Sequence, residues 1–149
     1  MSVERYTFDT NILFYALDPD AGEKHTISSR LIATADYRTA VLLLQTLGEL
    51  CNSIHKKRPA TVPLADAFVA KNMVLFDVIH AIPSDVAAAI AARKDHNIPF
   101  WDAMLWATAR RNGCTLILTE DLQDGRVLAG VTICNPFKLS ASALDALLL

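Results

Sequence analysis

The sequence lacks any apolar run long enough to cross a bilayer. Its longest stretch free of charged or strongly polar residues falls well short of the roughly 18 needed. Glu4, Arg5 and Asp9 stand where a secretory leader would require an unbroken apolar core, so no such leader is expected. The expectation is a cytoplasmic protein with no membrane partner. Cysteine is scarce: Cys51, Cys114 and Cys134 are odd in number, widely spaced and without a CxxC pair. Buried thiols in a reducing compartment fit that usage better than a disulfide framework. Positive charge is not in excess. Lys and Arg number 14 against 16 Asp and Glu, for a net charge of −2, and the isoelectric point is about 6.0. A polyanion would therefore have to be held by a local basic patch or through cations.

Internal repeats, low-complexity segments and linkers rich in Gly, Ser or Pro are absent as well. What remains is 149 residues, 52 % hydrophobic and 20 % charged, with a mean hydropathy of +0.28. A chain of that length buries about 70 % of its unfolded surface. Residues 1–149 are expected to form a single domain.

Hydrophobic periodicity orders the elements. Residues 3–8 (VERYTF) alternate as a strand, and 11–17 read as a short helix. After the turn-rich DPDAGEK, residues 25–35 place Ile27, Leu31, Ile32 and Ala35 at helical spacing. TAVLLL is an apolar strand. A helix over 45–57 follows, stopped by Pro59, and Pro63 opens another running to about Leu75. FDVIHAI reads as a strand. Ser84 and Asp85 cap an alanine-rich helix to Lys94, and Pro99 opens one to Asn112 that Gly113 ends. CTLILT and VTICN are further strands, and the terminal SASALDALLL reads as an amphipathic helix on the core. Strands alternating with helices predict an α/β fold of three layers, α/β/α, around a central parallel sheet. In such sheets ligands bind beyond the carboxyl ends of the strands.

Four acids fall at that end. Asp9 interrupts the apolar YTFDTNILFYALD directly after the first strand. Glu49 lies on the helix after the second strand. Asp102 opens the helix of IPFWDAMLWATARR, and Asp121 follows a late strand in LILTEDLQDG. Each has a plain structural use. Asp9 serves as a helix cap, Asp102 as a partner for its helix dipole, Glu49 as part of a solvated stripe with Gln45, Asn52, Ser53 and Lys56, and Asp121 as turn chemistry before Gly125. Taken together they demand more. Carboxylates gathered at one sheet end repel one another unless some take up protons, and no Lys or Arg stands close in sequence to any of them. A hard divalent cation resolves that conflict. Mg²⁺ takes carboxylate oxygens and leaves positions for phosphate. Two such ions roughly 3.5–4 Å apart activate a water and stabilise the leaving oxygen of a phosphodiester.

The stretches FDTNILFYALD, PFWDAMLWATARRNGC, LILTEDLQDG and VTICNPF, with the Glu49 helix between them, resemble the PIN-domain nucleases, in particular VapC-like toxins of toxin–antitoxin pairs. The resemblance covers nearly the whole chain in order. It implies RNA cleavage dependent on Mg²⁺ or Mn²⁺, a homodimer, and a cognate antitoxin as partner. Carried over by position, Asp9, Glu49, Asp102 and Asp121 match the family's acidic quartet, both catalytic and metal-binding. Thr10, Asn11 and Thr119 match the polar residues beside it, with Glu120 and Asp124 as alternatives to Asp121. Lys56, Lys57, Arg58, Arg110, Arg111 and Arg126 are available for a phosphate backbone. Trp101 and Trp106 are expected in the core. Two rivals stand beside the nuclease. A receiver-like phosphotransfer domain would need a lysine at the end of a late strand, which LILTEDLQ does not offer; a PIN-like module would bind RNA or protein without cutting.

Overall fold

The structure is a computed structural model, and it describes residues 5–147. Six strands form one sheet in the order β3-β2-β1-β4-β6-β5. These are β1 (Tyr6–Phe8), β2 (Ala40–Leu43), β3 (Asp77–Ile79), β4 (Leu116–Leu118), β5 (Val127–Leu128) and β6 (Val131–Cys134). All neighbouring strands pair in parallel except β5, which runs antiparallel to β6. The expected three-layer arrangement is present, with one antiparallel strand added at the edge.

Helices cover both faces, and the strand residues sort between them. Ala40 and Leu42 of β2 join Phe8, Leu116 and Leu118 in one core. That core is closed by α1 (Thr10–Ala16), α2 (Glu23–Ala33), α3 (Leu44–Lys57), α4 (Val62–Leu75) and α7 (Ala141–Leu147). Val41, Leu43, Ile117 and Ile133 point the other way, into a second core under α5 (Pro83–His96) and α6 (Phe100–Arg111). A strand buried on both faces has no polar side to show, which is why AVLL is apolar throughout. Fully buried side chains such as Ile12, Leu50 and Ile54 each stabilise the fold by about 1.5–3 kcal/mol.

Helix ends follow local chemistry. Pro83 opens α5, and the Asp85 carboxylate accepts the Ile82 N–H at 2.9 Å, satisfying a donor the helix leaves orphaned. Asn97, in the left-handed conformation, ends it. Gly113 adopts φ +83 after α6, a turn that a Cβ would strain.

Several boundaries differ from the sequence reading. Strand pairing of the FDVIHAI segment is confined to Asp77–Ile79; α5 runs on to His96 and is capped at Ile82, so Ser84 and Asp85 lie inside its first turn and are not the cap. Val3 and Glu4 lie outside the described residues, as do the last two leucines. Strand β5 was not legible, because a two-residue strand carries no alternation. It is held by a tight hairpin in which Ala129 (φ 45) and Gly130 (φ 82) are both left-handed. Cys114 is buried, but Cys51 is exposed on α3 and Cys134 is half-buried, so burial does not explain all three thiols.

Strands β1, β2 and β3 advance to one side with α1–α4 on one face. The chain then returns through α5 and α6 on the opposite face to place β4 beside β1. The order in which strands are added thus reverses between β1 and β4, which themselves run parallel. A crevice forms at such a reversal.

A candidate active site where the sheet reverses

The two strand ends at the reversal are tied together. The Asp9 N–H donates to the Leu118 carbonyl at 2.8 Å, and the Thr119 N–H to the Cys134 carbonyl at 3.0 Å. Asp9 leaves β1 in an extended conformation and caps α1. Its Oδ1 accepts the Thr10 N–H at 2.7 Å and its Oδ2 accepts the Thr119 hydroxyl at 2.7 Å. The helix cap and the first candidate ligand are therefore the same residue. Asp9 is 6 % exposed. Burial pushes its carboxyl from an ordinary 3.8 up to about 6; the Thr119 and Thr10 hydrogen bonds oppose this, and the Asp102 and Asp121 carboxylates add to it.

The other three acids come from three further elements. Glu49, half-buried on α3, accepts the Thr10 hydroxyl at 3.0 Å and the Gln45 amide at 2.7 Å. Asp102 lies in the first turn of α6. Burial raises its proton affinity, and the neighbouring Asp121 and Glu49 carboxylates raise it further. Asp121 is exposed on the loop after β4, with its backbone N–H donated to the Thr119 hydroxyl at 3.1 Å. Asn11 donates weakly to that hydroxyl at 3.4 Å, and its own Oδ1 is buried without a partner among the described residues.

Among the described residues no lysine, arginine or histidine forms an ion pair with the quartet. Among the described residues, ion pairs join Arg5 to Asp77, Lys24 to Glu120, Arg30 to Asp145, Arg38 to Asp36, Arg58 to Asp18 and Arg111 to Asp85. None reaches Asp9, Glu49, Asp102 or Asp121. The alternatives to Asp121 are engaged elsewhere. Glu120 pairs with Lys24 at 2.8 Å and accepts the Tyr15 hydroxyl, and Asp124 accepts the Asn135 N–H at 2.8 Å.

The donor set is all oxygen and strongly anionic, which suits a hard divalent cation. The acids are near enough to repel one another but are not drawn into a closed cage. Among the described residues no three His, Cys, Asp or Glu are grouped as an ion would hold them. Asp9 is the fixed member, while Glu49, Asp102 and Asp121 are more exposed.

Beside the quartet lies a cleft of about 290 Å³, lined by Thr10, Asn11, Tyr15, Glu49, Lys57 and Asp121 among others. Of the six basic residues expected to meet phosphate, Lys57 is the one on this cleft. Arg58 and Arg111 are bound to buried aspartates. Arg110 and Arg126 donate to the Ala129 and His96 carbonyls. Trp106 is in the core, its indole N–H donated to the Leu128 carbonyl at 3.1 Å. Trp101 is 63 % exposed, against expectation, because its place beside Asp102 on α6 faces out of the sheet end. Sequence reasoning also missed Gln45 as the residue orienting Glu49. Its signal was the i, i+4 spacing on one helix.

Solved structures share this architecture. VapC20 of Mycobacterium tuberculosis, a sarcin-ricin loop cleaving toxin, is 20 % identical over 78 % of this chain and 89 % of its own, with a TM-score of 0.65. A toxin–antitoxin complex from Klebsiella pneumoniae is 19 % identical over 90 % of this chain and 99 % of its own, with a TM-score of 0.66. FitAcB from Neisseria gonorrhoeae gives the same identity, coverage and TM-score. At such identities the likeness speaks to the fold alone. No curated protein matches the chain. The PIN domain family model does, over residues 6–127, and the chain belongs to the PIN domain family.

Proposed function

We propose that this protein is a ribonuclease dependent on Mg²⁺ or Mn²⁺, acting as the toxin of a toxin–antitoxin pair. One observation carries the reading. Four carboxylates from four elements lie within electrostatic reach of one another where the strand order reverses, no lysine or arginine among the described residues is paired with any of them, and one is buried enough to titrate at about 6. Structure alone does not favour such an arrangement; a cation there removes its cost.

When bound, a divalent ion would polarise the phosphodiester and lower the pKa of the attacking water. Asp9 and Asp102 are the residues to hold the principal ion, with Glu49 and Asp121 completing the set. Thr119 and the Thr10 N–H fix both oxygens of Asp9. Thr10 and Gln45 aim Glu49. Glu49 or Asp121, neither of them assigned to the principal ion, accepts the proton of the attacking water. Lys57, on the cleft wall, receives the phosphate backbone.

The biological setting is part of the same proposal. Membership of the PIN family and a neighbour solved as a toxin–antitoxin complex support an antitoxin partner, and the family resemblance supports a homodimer in the cytoplasm. No helix among the described residues is long and apolar enough to cross a membrane. The test is incubation of the purified protein with structured and unstructured RNAs in Mg²⁺, Mn²⁺ or EDTA. Cutting that needs metal and leaves 5′-phosphates supports the proposal. Tight RNA binding without cutting makes the chain a binding module instead.

A further inference from the structure

We infer that the groove beside the acidic cluster, between α3, the end of β3 and the start of α6, is a nucleobase subsite whose stacking face is Trp101. It would take the base adjoining the phosphodiester held by the acids, and so rests on the nuclease reading above. The groove encloses about 670 Å³ and is lined by Leu44, Gln45, Glu49, His80, Trp101 and Met104 among others.

The first argument is continuity. Glu49 lines both this groove and the acidic cleft. The Gln45 amide nitrogen bridges Glu49 Oε1 at 2.7 Å and the Trp101 carbonyl at 3.2 Å. One side chain thereby ties the backbone at Trp101 to the acid, and its own carbonyl oxygen is left to accept an exocyclic amine or ring N–H. A strand whose phosphate lies at the quartet has its neighbouring base within reach of this groove.

The second argument is chemistry. The lining is largely apolar, contains an acid and contains no lysine or arginine. That environment repels a phosphate and suits a flat, neutral heteroaromatic ring. Trp101 is 63 % exposed and Leu44 54 %, a costly display of apolar surface next to a polar site. Aromatic faces stack on bases of any sequence.

The third argument is the vacancy at Gly48. This residue lies inside α3, on the groove wall, where glycine weakens a helix relative to alanine. Neither a positive φ nor a close neighbour requires it: a Cβ built there meets nothing within 4 Å. What its missing side chain preserves is the opening of the groove.

The chain has two tryptophans and Trp106 is buried, so a change in intrinsic fluorescence on binding reports Trp101. The probe is a set of single-stranded RNA hexamers, one for each base, labelled for anisotropy and titrated in Ca²⁺, with their integrity checked on gels. Expected is quenching that tracks the anisotropy. Trp101→Ala and Gly48→Leu should each weaken binding about fivefold or more, raising KM while kcat at saturating RNA changes little. Trp101→Phe should recover most of the affinity, and Gly48→Leu should flatten any preference among the four bases. Binding without quenching, with both variants as tight as the parent, overturns the subsite and leaves the nuclease standing. So does a loss of dimer in both variants at unchanged RNA affinity, which would make the groove a contact between copies. Hexamers left unbound overturn the subsite, and the nuclease reading falls with it only if structured RNAs also stay uncut in every metal.

Discussion

The Thr119 hydroxyl donates to Asp9 Oδ2 at 2.7 Å and accepts the backbone N–H of Asp121 at 3.1 Å. One fully buried side chain thus joins the carboxylate that follows β1 to the loop that follows β4. It holds the acid and sets the loop in register at once.

Replacing Thr119 with Val keeps the shape and removes both bonds. The Thr119 hydrogen bond lowers the proton affinity of Asp9, so its loss raises that affinity further and leaves Oδ2 buried without a donor. The acidic limb of the pH–rate profile should move to higher pH, with kcat down by about tenfold or more. Thr119→Ser should restore most of both. An unchanged limb in Thr119→Val would reduce Thr119 to a packing residue.

Asp9 also makes a prediction about stability. Its carboxyl is raised from 3.8 to about 6, so between those values the folded protein holds the proton more tightly than the unfolded chain. Stability is greatest below that window, falls as pH rises through it, and above it is reduced by about 3 kcal/mol. Asp9→Asn removes the charge and keeps an acceptor for Thr10, at the cost of the bond from Thr119. The metal-free variant should be about 1–2 kcal/mol more stable than the parent at pH 7.5, with the gain gone by pH 4. Urea unfolding in EDTA at the two pH values measures this. Mg²⁺ should raise the melting temperature of the parent at pH 7.5 and not that of the variant. A variant less stable than the parent at pH 7.5 would show that capping α1 is the whole purpose of Asp9.

Arg111 illustrates how the same residue type can be read two ways. In the sequence it offered itself to RNA. In the fold its guanidinium meets Asp85 through two nitrogens at 2.8 and 2.9 Å, against an aspartate that is 2 % exposed. Burial alone would raise the Asp85 carboxyl, but Arg111, the Ile82 N–H and Thr108 outweigh it and hold it below 3.8. That stabilisation is complete above the ordinary carboxylate range and is lost as pH falls through the depressed value. Arg111→Met leaves a buried charge without its partner and should cost about 3 kcal/mol at pH 7. RNA cleavage below the new melting temperature should be unaffected. A large drop in RNA affinity with stability intact would return Arg111 to the nucleic-acid surface.

Much of this arrangement could be read from the chain because its signals are local. Apolar strands such as AVLL, the prolines at 59, 63 and 99 and the glycine at 113 fix elements by backbone chemistry that acts over a few residues. Asp9, Glu49, Asp102 and Asp121 were picked out as candidates from strand ends and family motifs, and the fold sets them within electrostatic reach of one another. What stayed hidden depends on tertiary neighbours. Nothing in IPFWDAML says that Trp101 looks outward while Trp106 reaches Leu128. Likewise, Glu120, Asp121 and Asp124 are three equivalent acids until Lys24, Tyr15 and Asn135 arrive from elsewhere in the chain.

Those three acids provide the sharpest discrimination. Glu120 is held by Lys24 and Tyr15, with the Lys24 ammonium also 5.1 Å from the Tyr15 ring and 5.6 Å from that of Phe137. Asp124 spends an oxygen on the Asn135 N–H. Asp121 alone adds to the repulsion felt by both Asp9 and Asp102. Asp121→Asn should therefore weaken activation by Mg²⁺, raising the ion concentration needed for half-maximal cleavage about tenfold. Glu120→Gln should leave that concentration alone and cost about 1 kcal/mol of stability, the worth of a partly exposed hydrogen-bonded pair. Asp124→Asn should behave like Glu120→Gln. A shift in metal dependence for Glu120→Gln with none for Asp121→Asn would mean that the clasp opens in solution and delivers Glu120 to the ion.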